Sequence, residues 1–315
     1  MKPLAARLTG LTFDALSAPQ PEESTTAIER KPFAELTALQ QQWRTDGLVI
    51  LRNFIPAVLR DAYSAARERI LPKDRTAPDN YWHGWRYAYP YLACEELKEL
   101  ALHRPLTTVL RELIGDEMGL HLTLTGWIST ERNFHQDTYL NPSDLWSYYL
   151  AAWIALDDIH ADSGPFQFVR GSHTWNVLRR EKLFSHLTRE ERESPMWPTF
   201  TQEWVSQACE REIERRGARV EEFVPNGGDV LIWHSNLIHR GSVPRNENLV
   251  RKSLIAHYSS IERRSDMHDL RVHTNGSRYF HFPPPSVHPQ QLALPKTVAP
   301  AAPKRSILRK LLGRE

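Results

Sequence analysis

Cysteine is nearly absent. Cys94 and Cys209, the two in 315 residues, stand far apart with no CxxC pair, so neither a disulfide framework nor a structural zinc site is encoded. Net charge is missing too: 40 Lys and Arg against 38 Asp and Glu leave +2, and nothing demands a nucleic acid or another polyanion as partner. No run approaches the roughly 18 apolar residues of a membrane helix. The opening MKPLAARLTGLTFDALSAPQ is broken by Arg7 and Asp14, so the expectation is a protein of the reducing cytoplasm, neither secreted nor membrane-spanning. No internal repeat occurs. What is present, 41% hydrophobic residues over 36.5 kDa, suffices for one sizeable core.

The chain divides by texture. Residues 1–30 lack periodicity and are expected to form a loosely ordered lead-in, ahead of a single domain over 31–282. Within it, the stretch from Pro32 predicts an amphipathic helix ending near Gly47, followed by a strand. Residues 56–71, opening on proline, predict a second helix, and 94–115 a helix interrupted near Pro105 and stopped by Gly115. Strands then dominate: LHLTLTGWIS, NFHQD, SYYLAAWIALDD, PFQFV, ARVEEFV, GDVLIWHSNLIHRGS and RKSLIAHYS. A charged helical insertion, about 175–217, interrupts them and is expected to act as a lid. Residues 283–315 predict a Pro/Ala-rich linker and a basic amphipathic end, whose 304–315 portion is a candidate for peripheral membrane contact.

The chemistry concentrates in two places. In NFHQDTYLNP, His135 and Asp137 are two apart, and in an extended segment such residues face the same way. A second HxD at His160 and Asp162 shows how little that pattern means alone. Roughly a hundred residues on, GDVLIWHSNLIHRGS supplies His239, and two histidines with one carboxylate form the facial arrangement that holds Fe(II) with three positions open. His234, five residues earlier, is the rival; on one strand an odd separation would place the two on opposite faces.

With DGLVILRNFIP (46–56) and WIALDDIHADSGPFQFVRGSH (153–173), these motifs resemble the phytanoyl-CoA dioxygenase family of Fe(II)/2-oxoglutarate-dependent oxygenases over about residues 35 to 260. The resemblance implies a mainly β fold with flanking helices, a double-stranded β-helix (a cupin-like jelly roll). It implies iron on His135, Asp137 and His239, 2-oxoglutarate as co-substrate with O2, and release of succinate and CO2 as a small molecule is hydroxylated or otherwise oxidised at an unactivated C–H. Arg251 would bind the far carboxylate of 2-oxoglutarate, Ser253 would add a hydroxyl from the same face, and Trp153 would wall that pocket. Arg245 is the alternative cation. Asp158 and the SGPFQFVRGSH turn are expected to be structural. This sequence departs from the family's pattern by inserting Arg240 between His239 and Gly241. Asp137 in place of a small residue disfavours halogenation.

Substrate recognition has weaker signals. Trp82, Trp85, Arg86 and Tyr87 in an aromatic-rich stretch, with Arg278 near the end of the domain, are candidates facing a polar or anionic metabolite. A non-catalytic ligand-binding jelly roll, or a metal-dependent hydrolase or isomerase, would use the same three ligands but would leave Arg251 and Ser253 without a task.

Overall fold

The structure, a computed structural model, describes residues 10–86, 89–129, 133–142, 145–264 and 266–282. Tyr87 and the 283–315 tail lie outside them. The N-terminal part holds α1 (Phe13–Leu16), β1 (Ser17–Ala18), α2 (Ala27–Arg30), α3 (Ala38–Asp46), β2 (Leu48–Leu51), α4 (Ala57–Ile70), α5 (Glu95–Ala101) and α6 (Arg104–Ile114). The strand-rich part runs β3 (Met118–Leu124), β4 (Tyr149–Ala155), β5 (Phe166–Phe168), then the insertion with β6 (Val177–Leu178), α7 (Arg180–Phe184), α8 (Arg189–Glu193) and α9 (Trp197–Arg215). It closes with β7 (Glu221–Phe223), β8 (Val230–His234), β9 (His239–Gly241), β10 (Ser253–Ser260), β11 (Leu270–Val272) and β12 (Arg278–Phe280).

Local chemistry sets the helix ends. Thr37 and Gln40 exchange side-chain and backbone hydrogen bonds at the start of α3, and Gly47, left-handed at φ 72°, ends it as expected. The break in 94–115 falls at Leu102 and His103 because Pro105 fits the first turn of α6, where its missing N–H costs nothing.

Seven strands in the order β11-β12-β3-β10-β4-β8-β2 make a large sheet, and β7-β5-β9 make a small one. The period of two along β4 shows how they stack. Ala151, Trp153 and Ala155 meet Leu231 and Trp233 of β8 and Phe166, Phe168 and Phe223 of the small sheet. Leu150, Ala152 and Ile154 instead join the core under α3 to α6. Both faces of β4 are buried, which explains its unbroken apolar run. The architecture is the expected jelly roll with flanking helices.

Two expectations need correction. From residue 10 onward the lead-in is packed: Thr12 caps α1, Thr26 and Glu29 form a capping box on α2, and Phe13 and Leu16 are buried with Val205, Ala208 and Cys209 of α9. Its few apolar side chains have found a face of the insertion to cover. The second correction is that NFHQD forms no strand. His135 makes a single bridge to His239, Asp137 is already helical at φ −80° and ψ −23°, and a 3-10 turn, Thr138–Leu140, follows.

Candidate metal centre

The three predicted ligands converge. His135, Asp137 and His239 are all buried, and their ligand atoms lie within 4.8 Å of one another. Asp137 Oδ1 stands 3.5 Å from His135 Nε2 and 3.7 Å from His239 Nε2. Each Nδ1 is turned onto a main-chain carbonyl, His135 to Asn133 at 2.8 Å and His239 to Leu237 at 2.9 Å. A carbonyl can only accept, so both Nδ1 carry a proton, and each ring once neutral turns its Nε2 lone pair to the centre, the tautomer a metal requires.

The residues before the two histidines explain how they are held. Phe134 and Ile238 are buried in the cluster shared by α1, α9 and the insertion, so each imidazole leaves a fixed backbone. Main-chain bonds His135 N to His239 O (3.1 Å) and His239 N to His135 O (3.0 Å) set the spacing. Arg180, opening α7, donates to the carbonyls of Tyr139 (3.1 Å) and Asn141 (2.8 Å), gripping the chain just past Asp137.

His239 and His234 are separated by a turn and a change of sheet. His234 closes β8 and His239 opens β9, so the odd-spacing argument does not apply, although its choice of ligand agrees with the geometry. His234 is buried elsewhere, its Nε2 3.3 Å from Glu29. Gln136 points away from the centre to the carbonyls of Asn176 and Asn236.

Electrostatics favours a cation at the triad. Burial would raise the Asp137 carboxyl, but in the metal-free site His239 and His135, when protonated, hold it well below the usual carboxylate range, and a bound cation would take their place. Its Oδ2 accepts a hydrogen bond from Trp233 Nε1 at 3.0 Å, which leaves Oδ1 for the centre. Two imidazoles and a singly presented carboxylate are the donor set of a facial non-haem Fe(II) site, and these residues fit that ion.

Arg251 lies in the same interior. It is 2% exposed, its Nη1 donates to the Gly164 carbonyl, and its guanidinium carbon is 5.8 Å from the Trp153 ring. Gly164 reaches this position with φ 78°, and a Cβ there would sit 2.6 Å from the Ser242 carbonyl, so only glycine fits. Burial pushes the guanidinium down to about 10. Among the described residues no carboxylate lies within ion-pair distance of it, and its Nε lacks a hydrogen-bond partner. Ser253, two residues on, is buried at the start of β10. Arg245 is exposed and paired with Asp162 and Glu222, which removes it as the alternative. Asp158 accepts from Gly227 N at 2.8 Å, a structural tie.

The family profile of phytanoyl-CoA dioxygenase (PhyH) matches residues 43–253, two thirds of the chain. The chain belongs to the phytanoyl-CoA dioxygenase family. No curated protein sequence matches it. Among solved structures, EctD from S. alaskensis with bound Fe is 14% identical at a TM-score of 0.51, over 80% of this chain and 84% of that one. The alpha-ketoglutarate-dependent carbocyclase SnoK from nogalamycin biosynthesis is 19% identical at 0.49, over 73% and 86%. HygX from Streptomyces hygroscopicus with iron bound is 18% identical at 0.47, over 72% and 87%. The EctD likeness concerns the fold alone.

Other sequence-predicted residues of this family member lie elsewhere. Trp85 is core, beside Arg67. Arg86 is tied to its own loop through Asp79 and Pro78, and Trp82 packs on Tyr81 and under Arg75. Arg278, at the start of β12, lines a small cleft with Arg104, Arg111 and Glu117. None of these joins the triad.

Sequence reasoning missed Trp233 and the interior beyond it. Along β10, residues 253, 255, 257 and 259 share a face, which brings His257 to 6.0 Å from the Trp233 ring. Tyr149 contacts His257 Nδ1, and Ser259 contacts His121 Nδ1 at 3.2 Å. His121 sits where the β3–β10 register slips: His257 faces Leu122 and Tyr258 faces Leu120, so His121 is the extra residue of a bulge. The signal for His257 was the same alternation that pointed to Ser253.

Proposed function

We propose that this chain is an Fe(II)- and 2-oxoglutarate-dependent oxygenase that oxidises a C–H bond of a small polar or anionic metabolite, with hydroxylation as its reaction. The observation that carries this reading is Arg251: a buried guanidinium with no anionic partner among the described residues, against Trp153 of the cluster that also packs Phe166 on His239. Leaving a cation uncompensated is costly, and a dicarboxylate whose second carboxylate reaches the metal answers that cost. A hydrolase or a simple binding module has no need of it.

His135, Asp137 and His239 would hold iron, which, bound with 2-oxoglutarate, couples decarboxylation of that acid to oxidation of the substrate by O2. The protein's own work is positional. The two carbonyl-bound Nδ1 groups fix the imidazoles, Trp233 fixes the Asp137 carboxylate, and Arg251 and Ser253 would hold the far carboxylate of 2-oxoglutarate. Trp153, Phe166 and Phe223 make the adjoining wall apolar and exclude water. Near Trp233, Tyr149 contacts His257 and Ser259 contacts His121, so the interior there is polar, which supports a polar substrate. The two cysteines, both free and buried, accord with a cytoplasmic setting, and among the described residues no helix is long and apolar enough to cross a membrane.

The test is anaerobic addition of 2-oxoglutarate to the Fe(II)-loaded protein. A visible charge-transfer band that is lost in Asp137→Ala and weakened in Arg251→Ala is the expected result. Iron binding without any band would overturn the assignment of the co-substrate pocket.

A further inference from the structure

The metal-binding segment lacks a strand ladder, so something else must hold Asp137 in place. Its backbone N–H donates to the Ser235 carbonyl at 2.8 Å, in the turn joining β8 to β9. The side chains on either side of Asp137 both reach the next residue of that turn. Thr138 donates its hydroxyl to Asn236 Oδ1, and Gln136 donates to the Asn236 carbonyl at 2.9 Å. Asn236 is completely buried and every polar group it owns is used: its Nδ2 donates to Gln20 Oε1 at 2.6 Å and its backbone N–H to His234 Nδ1 at 3.0 Å.

The supports of Asn236 come from the lead-in. Gln20 also donates to Ser147 Oγ at 2.6 Å, and Ser147 in turn donates to Glu29 Oε1 at 3.1 Å. Because His234 Nδ1 accepts from Asn236, its proton sits on Nε2, which faces Glu29 Oε1 at 3.3 Å. Glu29 is itself held by the Thr26 backbone. Gln20 and Glu29 both precede residue 43, where the family match begins.

We propose that Asn236 is a positioning residue of the metal centre, locking the backbone at Asp137 through Thr138 and Gln136, and that Gln20 and Glu29 of the N-terminal segment set its orientation. The inference rests on reading His135, Asp137 and His239 as metal ligands. Side chains that orient metal ligands from behind carry about ten- to a hundredfold of metal affinity, and Asn236 acts from one step further back than a direct contact.

The experiment measures Co(II) affinity by anaerobic chelator competition, with the visible Co(II) spectrum and the melting temperature of the metal-free protein recorded in parallel. Asn236→Ala and Thr138→Val should each weaken Co(II) about tenfold or more and change the spectrum, while Thr138→Ser, which keeps the hydroxyl, should stay within about threefold of wild type. Gln20→Ala should weaken Co(II) too, and add little once Asn236→Ala is present. If Asn236→Ala does not fold, the Thr138 pair decides alone. Folded variants that bind Co(II) with the wild-type affinity and spectrum, whatever their melting temperatures, overturn the proposal. A wild-type protein that binds neither Co(II) nor Fe(II) overturns the metal centre itself, and this inference with it.

Discussion

Replacing Arg251 by methionine should move two measurements in opposite directions. In the ligand-free protein the guanidinium is buried with no acidic neighbour among the described residues, and burial lowers it from 12.5 to about 10. At 1.36 kcal/mol per tenfold change this is about 3 kcal/mol against folding. The sign follows from linkage: the folded state disfavours the charged base, so the penalty is in force at neutral pH and fades only as pH rises through about 10 toward 12.5. Methionine removes the charge and keeps an unbranched stem near Trp153. It also leaves the Gly164 carbonyl without its donor, at about 1–3 kcal/mol. The ligand-free variant should therefore melt near the wild type or somewhat above it. Co-substrate binding should go the other way, because removing one partner of a buried charged pair costs about 2–5 kcal/mol, or roughly thirtyfold to several thousandfold in Kd. Arg251→Lys keeps the charge without the fork and should fall between. Calorimetric melting of the ligand-free protein and anaerobic titration of the Fe(II) form with 2-oxoglutarate read the two quantities. A variant destabilised by more than about 3 kcal/mol, with 2-oxoglutarate affinity unchanged, would show Arg251 to be a purely structural arginine.

Three further outcomes follow from the geometry. Trp233→Phe removes the donor to Asp137 Oδ2 and should weaken Fe(II) binding about tenfold, read by chelator competition; unchanged affinity would mean that the indole contributes packing only. Burial, with His234 beside it, pushes His173 from 6.5 down to about 3, so it is neutral in the fold while the unfolded chain takes a proton below 6.5. Stability should then fall as pH drops from 6.5 toward 3. Burial raises Glu29, but His234 and Thr26 outweigh it and bring it from 4.5 to about 2, which adds a second loss as pH falls through that lower window. Urea unfolding at pH 8, 5.5 and 4 would test both, and a flat profile between 8 and 5.5 would contradict the burial argument for His173. Gly47→Ala places a Cβ 2.3 Å from His173 Nδ1 at a φ of 72°, and should cost about 2 kcal/mol or more in the same assay.

What could be read from the residues alone depended on how local each cause is. Helix ends at Gly47 and Gly115 were legible because capping is a contract between neighbours in sequence, while the first helix, expected from Pro32, starts only after Thr37. The inward side of Ser253 was legible because a strand alternates, and the same count of two reaches His257 and Ser259, whereas Arg251 stands just ahead of the strand. His121 breaks that count: the bulge beside it shifts the phase, and a one-residue slip is not visible without the partner strand. The aromatic stretch left packing and substrate contact both open for a related reason. Composition marks Trp82 and Trp85 as large and apolar but carries no direction, and the direction is set by Arg67 and Arg75. The lead-in held a usable local sign in Thr26 and Glu29, three apart in the capping-box spacing, while the burial of Phe13 and Leu16 depended on α9, far along the chain.

The proposed ligands are the instructive case. His135, Asp137 and His239 were picked out by residue type and spacing and do converge, yet the strand assumed for the first two does not exist. Spacing i and i+2 puts two side chains on one side of an extended segment, but Asp137 reaches the centre from a helical backbone, supported by a turn about a hundred residues away. A regular strand would have tied the segment's backbone into a ladder and left Gln136 and Thr138 without a task. Off the ladder, both side chains are used to grip Asn236, and the carboxylate's position becomes a property of the turn that also delivers His239. Departures from local rules gather at this place: the bridge without a strand, the bulge at His121 and the left-handed Gly164 under Arg251 all surround one interior. In a fold whose other strands follow their pattern closely, that concentration is itself an argument for where the chemistry is done.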